Sequence, residues 1–444
     1  MKYAAYSNYK PSNIGWICDF PAHWEIKRLK YVANRAEVKV EADEDNPLPY
    51  VGLENVEPWT GRLINLNDEL VPTGISNRFQ AGDTLFGKLR PYLAKACNVD
   101  FDGLSSSELL VLRGKTYDRN FLVYQLLSHG FINLVDSSTY GSKMPRASWD
   151  FIGICELPQP PIDEQQTIAR FLDAKTAQID DLIAKKRQLI AKLKEKRSAL
   201  IARTVTRGLP PEAAKAAGME PHPEMKDSGV DWLGKVPEQW GVWPLRRLVK
   251  FVKTGNTPSG AEDHHFEKGG FNWYSPSDFS EEIYLGLANR ALSAEGKTEV
   301  RVFPEKTVML VGIGATIGKV GMTLSESSCN QQINAIACNE KLNPVFATYF
   351  LKILRDFILS CGKFTTLPII NQDETKNLMF AVPPMAEQAV ISNYLNRETV
   401  EIDRLAAQVD KALSGLTEYR QALITSAITG KIDVRETPTL PEAA

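Results

Sequence analysis

The sequence predicts a mixed α/β protein built as a pseudo-two-fold tandem repeat, in which two globular domains are each followed by a long helix. Three observations carry this. Ser12-Asn13-Ile14-Gly15-Trp16 with Pro21, Trp24 and Leu29 returns as Ser228-Gly229-Val230-Asp231-Trp232 with Pro237, Trp240 and Leu245, at a constant offset of 216. Pro160-Pro161-Ile162-Asp163-Glu164-Gln165 returns as Pro383-Pro384-Met385-Ala386-Glu387-Gln388, and Arg197-Ser198-Ala199-Leu200-Ile201 as Arg420-Gln421-Ala422-Leu423-Ile424, now offset by 223. Each half then closes in a heptad pattern. The repeat is far longer than a solenoid unit of about 20–50 residues, so it is a duplicated domain plus helix. The copies agree at their edges and differ in the middle, as two recognition surfaces on one frame would.

The first domain takes residues 1–161. Its apolar runs are bounded by Gly, Pro, Asn and Asp, which suits strands and turns. Ala81-Gly82-Asp83-Thr84-Leu85-Phe86 reads as a turn entering a strand, Leu109 to Leu112 as a buried strand, and Phe121 to Leu127 as a short helix. The first long helix takes residues 162–207. Residues 208–227 are rich in Pro, Ala and Gly and read as a linker. The second domain, residues 228–384, keeps the order: Thr307 to Val311 stands where the first turn and strand stood, and Phe346 to Leu354 mirrors the short helix. The second long helix takes 385–431, and residues 432–444 form a short tail whose end, from Glu436, is polar and expected to fray.

In the second helix Leu395, Ile402, Val409, Leu416 and Leu423 recur every seven residues, with Leu405, Ala412 and Tyr419 three positions later. In the first, Leu172, Ile179, Lys186, Leu193 and Leu200 keep that register, joined by Leu182 and Leu189. A seam sustained over several heptads is the pattern of a coiled coil. The matched register favours pairing of the two helices with each other; the alternative is two amphipathic helices, each lying on its own domain. Pro161 and Pro384 stand just before the helices, where proline is tolerated. The spans Asp163 to Arg207 and Ala386 to Gly430 are 45 residues each, about 65 Å if wholly helical. Lys186 in the seam either specifies register or snorkels to water.

Composition excludes several classes. The chain has 444 residues, 43% hydrophobic and 24% charged, as in ordinary globular proteins. There is no apolar run of about 18 residues and no apolar leader at the start, so a cytoplasmic protein is expected. The six cysteines show no CxxC spacing, which argues against a metal site or a disulfide framework. A net charge of −2 neither favours nor opposes nucleic acid; a DNA binder of this composition concentrates its Lys and Arg on one face. Gly82 to Lys88 fits GxxxxGK, but Leu89 replaces the Ser/Thr that a phosphate loop places on Mg²⁺. Gly312 to Gly318 fails GxGxxG because Ile317 holds the third glycine position, and no helix pattern follows. His264-His265 reads as a solvated pair rather than as metal ligands. HExxH, GxSxG and Asn-Pro-Pro-Phe/Tyr are missing, so no catalytic, cofactor-binding or metal-binding residue is assigned.

The order of domain, heptad helix, domain, heptad helix resembles the specificity subunit of type I restriction–modification enzymes over almost the whole chain. The residues that carry the resemblance are Gly15-Trp16…Pro21-Ala22-His23-Trp24 and its copy Gly229 to Trp240, then Gly82 to Phe86 and Gly314 to Lys319. Leu157-Pro158…Pro160-Pro161…Glu164-Gln165-Gln166 with Ile168 closes the first half. One difference between the halves matters: Arg90-Pro91-Tyr92-Leu93-Ala94-Lys95 stands where the second half has Gly314-Ala315-Thr316-Ile317-Gly318-Lys319. The resemblance implies two target-recognition domains, each reading half of a bipartite, asymmetric DNA site. It implies that the two coiled-coil helices pair antiparallel and act as a ruler for the unread spacer. It also implies two methyltransferase (modification) subunits that bring S-adenosylmethionine, and restriction (translocase/endonuclease) subunits that use ATP and Mg²⁺, with no cofactor in this chain.

Base reading needs side chains that reach groove edges, with cations and small polar groups on phosphates. The candidates in the first half are Lys88, Arg90, Tyr92, Lys95, Ser106, Lys143 and Arg146. In the second they are Thr316, Lys319, Asn330, Gln331, Gln332, Lys363, Thr365 and Thr366. Against each stands a capped turn or a solvated face. The Lys/Arg excess in Lys185-Lys186-Arg187 and Lys192 to Arg197 suits DNA, a partner subunit or solvent equally. A non-catalytic coiled-coil scaffold and a stand-alone DNA enzyme are the competing readings.

Overall fold

The computed structural model describes residues 3–41, 48–66, 74–222, 224–259, 263–355 and 369–436. The chain divides into two compact units, Met1–Arg187 with Asp410–Ala444, and Gln188–Val409. This differs from a division at the sequence repeats, because the boundary falls within both long helices. The apolar face of residues 416–428 is the reason: Leu423, Ile424, Ala427 and Ile428 are buried in the core of the first unit, beside Trp24, Leu29 and Phe121.

In the first unit β1 (Ala33–Arg35), β2 (Thr84–Gly87), β3 (Ala96–Asn98) and β4 (Leu109–Gly114) form an antiparallel sheet in the order β1-β4-β2-β3. The run Leu109-Leu110-Val111-Leu112 is apolar throughout because both faces are covered. Leu110 and Leu112 enter the core that holds the helices; Leu109 and Val111 enter a second one with Val51, Phe79 and Leu85. A smaller sheet of Lys39–Glu41, Ile75–Phe79, Gly103–Ser105 and Tyr50–Val51 closes that side. Helices α1 (Arg119–Leu126) and α2 (His129–Ser137) follow. Asp118 caps α1 by accepting from the N–H groups of Asn120 and Phe121.

The second unit repeats the sheet. β5 (Val249–Thr254), β6 (Val308–Val311), β7 (Val320–Met322) and β8 (Ile333–Cys338) lie in the order β5-β8-β6-β7, and a helix, Pro344–Ile353, capped by Asn343, follows. Val308 and Leu310 face one core, Met309 and Val311 the other. In the segment 208–227, expected as a linker, parts of the described chain are folded instead. Leu209 and Ala214 enter the core, Pro211–Ala216 is helical, and Met225–Asp227 pairs with Lys235–Pro237. The tail is also ordered at its start: Val434 is buried in the first unit and Asp433 bridges to Ala4.

The long helices span Ile162–Arg207 (46 residues) and Met385–Ile428 (44 residues). Within each unit their segments run antiparallel. In the second unit Arg197 meets Asp403 at 3.0 Å, while Gly208, just past the end of the first helix, lies beside Glu387, further back along the second. In the first unit the Gln125 amide donates to Pro158 O, just ahead of the first helix, and to Ile428 O at the end of the second, while Asp180 meets Arg420 at 2.9 Å.

The seam needs one correction. Leu172, Ile179, Leu395, Ile402 and Leu423 are buried, and Leu193, Leu200, Val409 and Leu416 half-buried. Leu182, Leu189 and Leu405, however, are 47%, 44% and 38% exposed. The inward companions stand four residues after the heptad line, not three: Thr176, Ile183, Ile190, Arg197 and Thr204, and on the second helix Thr399, Ala406, Leu413, Arg420 and Ala427. Positions three and four away flank the same helix stripe. The side that is covered depends on where the partner helix lies.

Candidate nucleic-acid interface

The motif residues shared by the two halves build the frame rather than a reactive site. Glu164, in the first turn of its helix, accepts hydrogen bonds from Trp24 Nε1 (3.1 Å) and the Tyr6 hydroxyl, and lies 2.8 Å from His23 Nε2. Glu387 repeats this with Trp240 Nε1 (3.2 Å) and His222 Nε2 (2.6 Å). Burial and the Glu164 carboxylate push the Tyr6 hydroxyl well above its ordinary pKa, so it stays a neutral donor. Gln165 donates to Pro160 O and accepts from Asp118 N; Gln388 donates to Pro383 O and accepts from Asn343 N. The Pro-Pro-x-x-Glu-Gln block therefore seats each long helix on its tryptophan and on the cap of the short helix.

The divergent residues lie on the equivalent hairpin of each sheet. In the first unit the β2–β3 connection makes a 3-10 turn at Pro91–Leu93, flanked by Arg90 (φ 50°) and Ala94 (φ 46°) in the left-handed region. Arg90 N donates to Pro145 O (2.7 Å), Ala147 N to Lys88 O (3.0 Å) and Lys88 N to Glu108 O (3.0 Å). The three candidate segments, Lys88 to Tyr92, Ser106 and Lys143 to Arg146, thus meet at one end of the sheet. Lys88 is half-buried; Arg90, Tyr92 and Lys143 are exposed. Tyr140 and Met144, which the sequence did not single out, stand exposed on the same loop.

Other candidates are engaged in the frame. Arg146 grips Glu108 through Nε, 3.1 Å from each carboxylate oxygen, and pins the loop to the sheet. Lys95 turns inward to donate to Leu53 O, and burial lowers its pKa. Ser106 Oγ accepts from Glu108 N, a local turn. The Gly82 to Lys88 match to a phosphate loop is occupied by β2, whose backbone groups from Thr84 to Gly87 are committed to the ladder.

In the second unit the β6–β7 connection is the glycine-rich Gly312 to Lys319, with Gly314 (φ 98°) and Gly318 (φ 80°) left-handed. A Cβ on Gly312 would stand 2.7 Å from Ile370 O, which only glycine avoids. A strand follows the turn, so the dinucleotide arrangement has no helix to work with. Thr316 is half-buried on the turn and Gln331 is exposed, accepting from the Thr257 hydroxyl (2.8 Å). Gln332 N donates to Asn330 Oδ1 and Gln332 Oε1 accepts from Asn330 Nδ2, so the buried Asn330 and its half-buried partner form a closed turn. Lys319 Nζ donates to Phe279 O (3.0 Å). Lys363, Thr365 and Thr366 lie outside the described residues. His264 and His265 part company with the reading as a solvated pair, because His265 is buried.

The sequence reading missed a pair of positioning arginines. Arg420 bonds Asp180 (2.9 Å) and donates to Trp59 O (2.8 Å) in the first unit. Arg197 bonds Asp403 and donates to Glu281 O (3.2 Å) in the second. In each unit the arginine comes from the helix belonging to the other repeat. The offset of 223 relates both arginines and both aspartates, so the repeat itself carried the signal.

A four-stranded α/β frame repeated in two units, whose equivalent hairpins differ in chemistry, defines the class of fold: a tandem two-unit α/β protein with two long helices. The sequence pattern of the type I restriction modification DNA specificity domain matches residues 237–406. The MjaVIII type I restriction enzyme specificity subunit of Methanocaldococcus jannaschii is 23% identical over 94% of either chain. The EcoDI specificity subunit of Escherichia coli is 24% identical over 41% of either chain, so the match spans less than half its length. A solved chain from a study of complex assembly and conformational transition of the type I R-M system superposes with a TM-score of 0.65 at 19% identity, covering 93% of this chain and 99% of that one. At that identity the superposition speaks for the fold. Together these likenesses make the chain similar to type I restriction enzyme specificity subunits, with residues 237–406 matching their DNA specificity domain.

Proposed function

We propose that this chain is the sequence-specific DNA-binding subunit of a type I restriction–modification complex, with no catalysis of its own. Each unit reads one half of a bipartite, asymmetric site and directs methyltransferase and endonuclease subunits to it. The observation that carries the reading is the pair of equivalent hairpins on one repeated sheet, Lys88 to Lys95 and Gly312 to Lys319. They share their strands and differ in chemistry, as two readers of different sequences require. Arg90, Tyr92 and Lys143 in the first unit, and Gln331 in the second, are the side chains best exposed to reach DNA; Lys88 and Thr316, half-buried, stand behind them. Arg146, Lys95, Asn330 and Lys319 hold the loops that present them.

The partners follow from the same reading: duplex DNA, two modification subunits that bring S-adenosylmethionine, and restriction subunits that use ATP and Mg²⁺. Such a complex works in the cytoplasm; among the described residues no helix is long and apolar enough to cross a membrane. Affinity for target duplex should fall steeply with salt, since phosphate contacts release counterions. Arg90→Ala with Lys143→Ala should weaken binding through the first half-site at least about tenfold, and leave discrimination at the second unchanged. Fluorescence anisotropy on duplexes altered in one half at a time reads this. Equal loss at both halves, or salt-independent binding, would refute modular reading.

A further inference from the structure

We propose that the second unit carries a divalent-cation site of the zinc type, formed by His264, His265 and Glu295. One donor atom from each of these side chains lies within 4.8 Å of the other two. The imidazoles stand with centroids 4.0 Å apart, and His264 Nε2 is 3.7 Å from Glu295 Oε1. The 3.7 Å separation is too long for a hydrogen bond and close to what two donors about 2.0–2.2 Å from one zinc ion would span. Two imidazoles and a carboxylate are a donor set that suits zinc and leaves one position for water.

A second observation is independent of that spacing. The His265 side chain is only 5% exposed, and its Nδ1 is buried with no hydrogen-bond partner among the described residues. A buried polar nitrogen left unpaired is destabilising; a bound cation would satisfy it. Its other nitrogen, Nε2, faces Glu299 Oε1 at 3.7 Å. A carboxylate behind the far nitrogen is how metal-bound histidines are commonly oriented.

The backbone fixes the ligands in advance. Ser293 N donates to His265 O (2.9 Å) and the Ser293 hydroxyl to His264 O (2.8 Å), so the histidine turn is fastened to the start of the helix Ala294–Thr298 that bears Glu295. A Cβ on Gly296 would lie 2.3 Å from His265 O, so glycine permits the close approach. The ion would tie this helix to Phe266–Tyr274, the strand that begins at the next residue. It would staple the periphery of the second unit rather than take part in any reaction.

The test uses the full chain, made without a histidine tag and stripped with chelator, titrated with zinc chloride by calorimetry and followed by metal analysis. One equivalent should bind, and the melting temperature should rise. His264→Ala and Glu295→Gln, both at exposed positions, should each weaken binding at least about tenfold and abolish the zinc-induced rise, with unchanged circular dichroism in the absence of metal. Zinc binding no tighter in the wild type than in the double variant would overturn the proposal, as would a melting temperature that responds equally in both.

Discussion

Glu281 O accepts from two cations at once, Arg197 Nη2 (3.2 Å) and Lys352 Nζ (2.9 Å). Burial is the first cause that lowers the Lys352 pKa, to about 8, and the neighbouring Arg197 pushes the same way. Below about pH 8 the ammonium is charged in both folded and unfolded chains, and the folded state carries its full desolvation penalty. Between pH 8 and its ordinary value near 10.5, the folded state has released the proton and the unfolded state has not. Stability of the second unit therefore rises with pH in that window. Lys352→Met should be more stable than wild type at pH 7, and the difference should shrink by pH 10; urea midpoints across pH measure it. A constant difference would show that folding does not lower the Lys352 pKa. At this scale the sequence offered Lys95, Arg146, Lys319 and Asn330 as DNA contacts because of their chemistry. It did not say that a carbonyl or carboxylate of the same unit stands within reach of each one, which only folding decides.

The long helices were legible as elements because the heptad line survives in both copies, from Leu172 to Leu200 and from Leu395 to Leu423. Their inward companions were less legible because several are polar. Thr176 shares the Tyr124 hydroxyl with Asp173, and Thr399 shares the Tyr349 hydroxyl with Asn396. Arg197 and Arg420 occupy the same ridge. The leucines at 182 and 189 suggested the opposite flank, yet that flank faces outward in the chain alone. Ile183→Ala should cost about 1–3 kcal/mol in chemical denaturation, as partly buried core truncations do. Leu182→Ala should stay within about 0.5 kcal/mol. A larger cost at Leu182 would restore the three-residue spacing.

At the scale of the molecule, each unit is completed by the helix of the other repeat. Residues 410–436 supply Leu423, Ile424, Ala427, Ile428 and Val434 to the first core, and Gly430 is placed so that a Cβ there would strike Pro21. A chain ending at Val409 should therefore lose the cooperative unfolding of the first unit and leave its N-terminal segment open to proteolysis. The second unit, Gln188–Val409, keeps all of its core and should remain resistant. Limited proteolysis with mass spectrometry distinguishes the two; protection of both units would show that the first unit does not need the C-terminal segment. A scheme that cuts the chain at its repeats would assign that segment to the wrong unit.

The sequence by itself determined the duplication, the two α/β domains, the two long helices and the place where the copies diverge. Local patterns and constant offsets survive in one dimension, and each needs only neighbouring residues to be read. Tertiary structure alone decided which flank of each helix is inward, which cations face outward from the hairpins, that Pro211–Ala216 and Met225–Asp227 form a helix and a strand, and that His265 is buried. Those outcomes depend on which backbone or carboxylate oxygen lies opposite a side chain across tens or hundreds of residues, and no spacing along the chain records that.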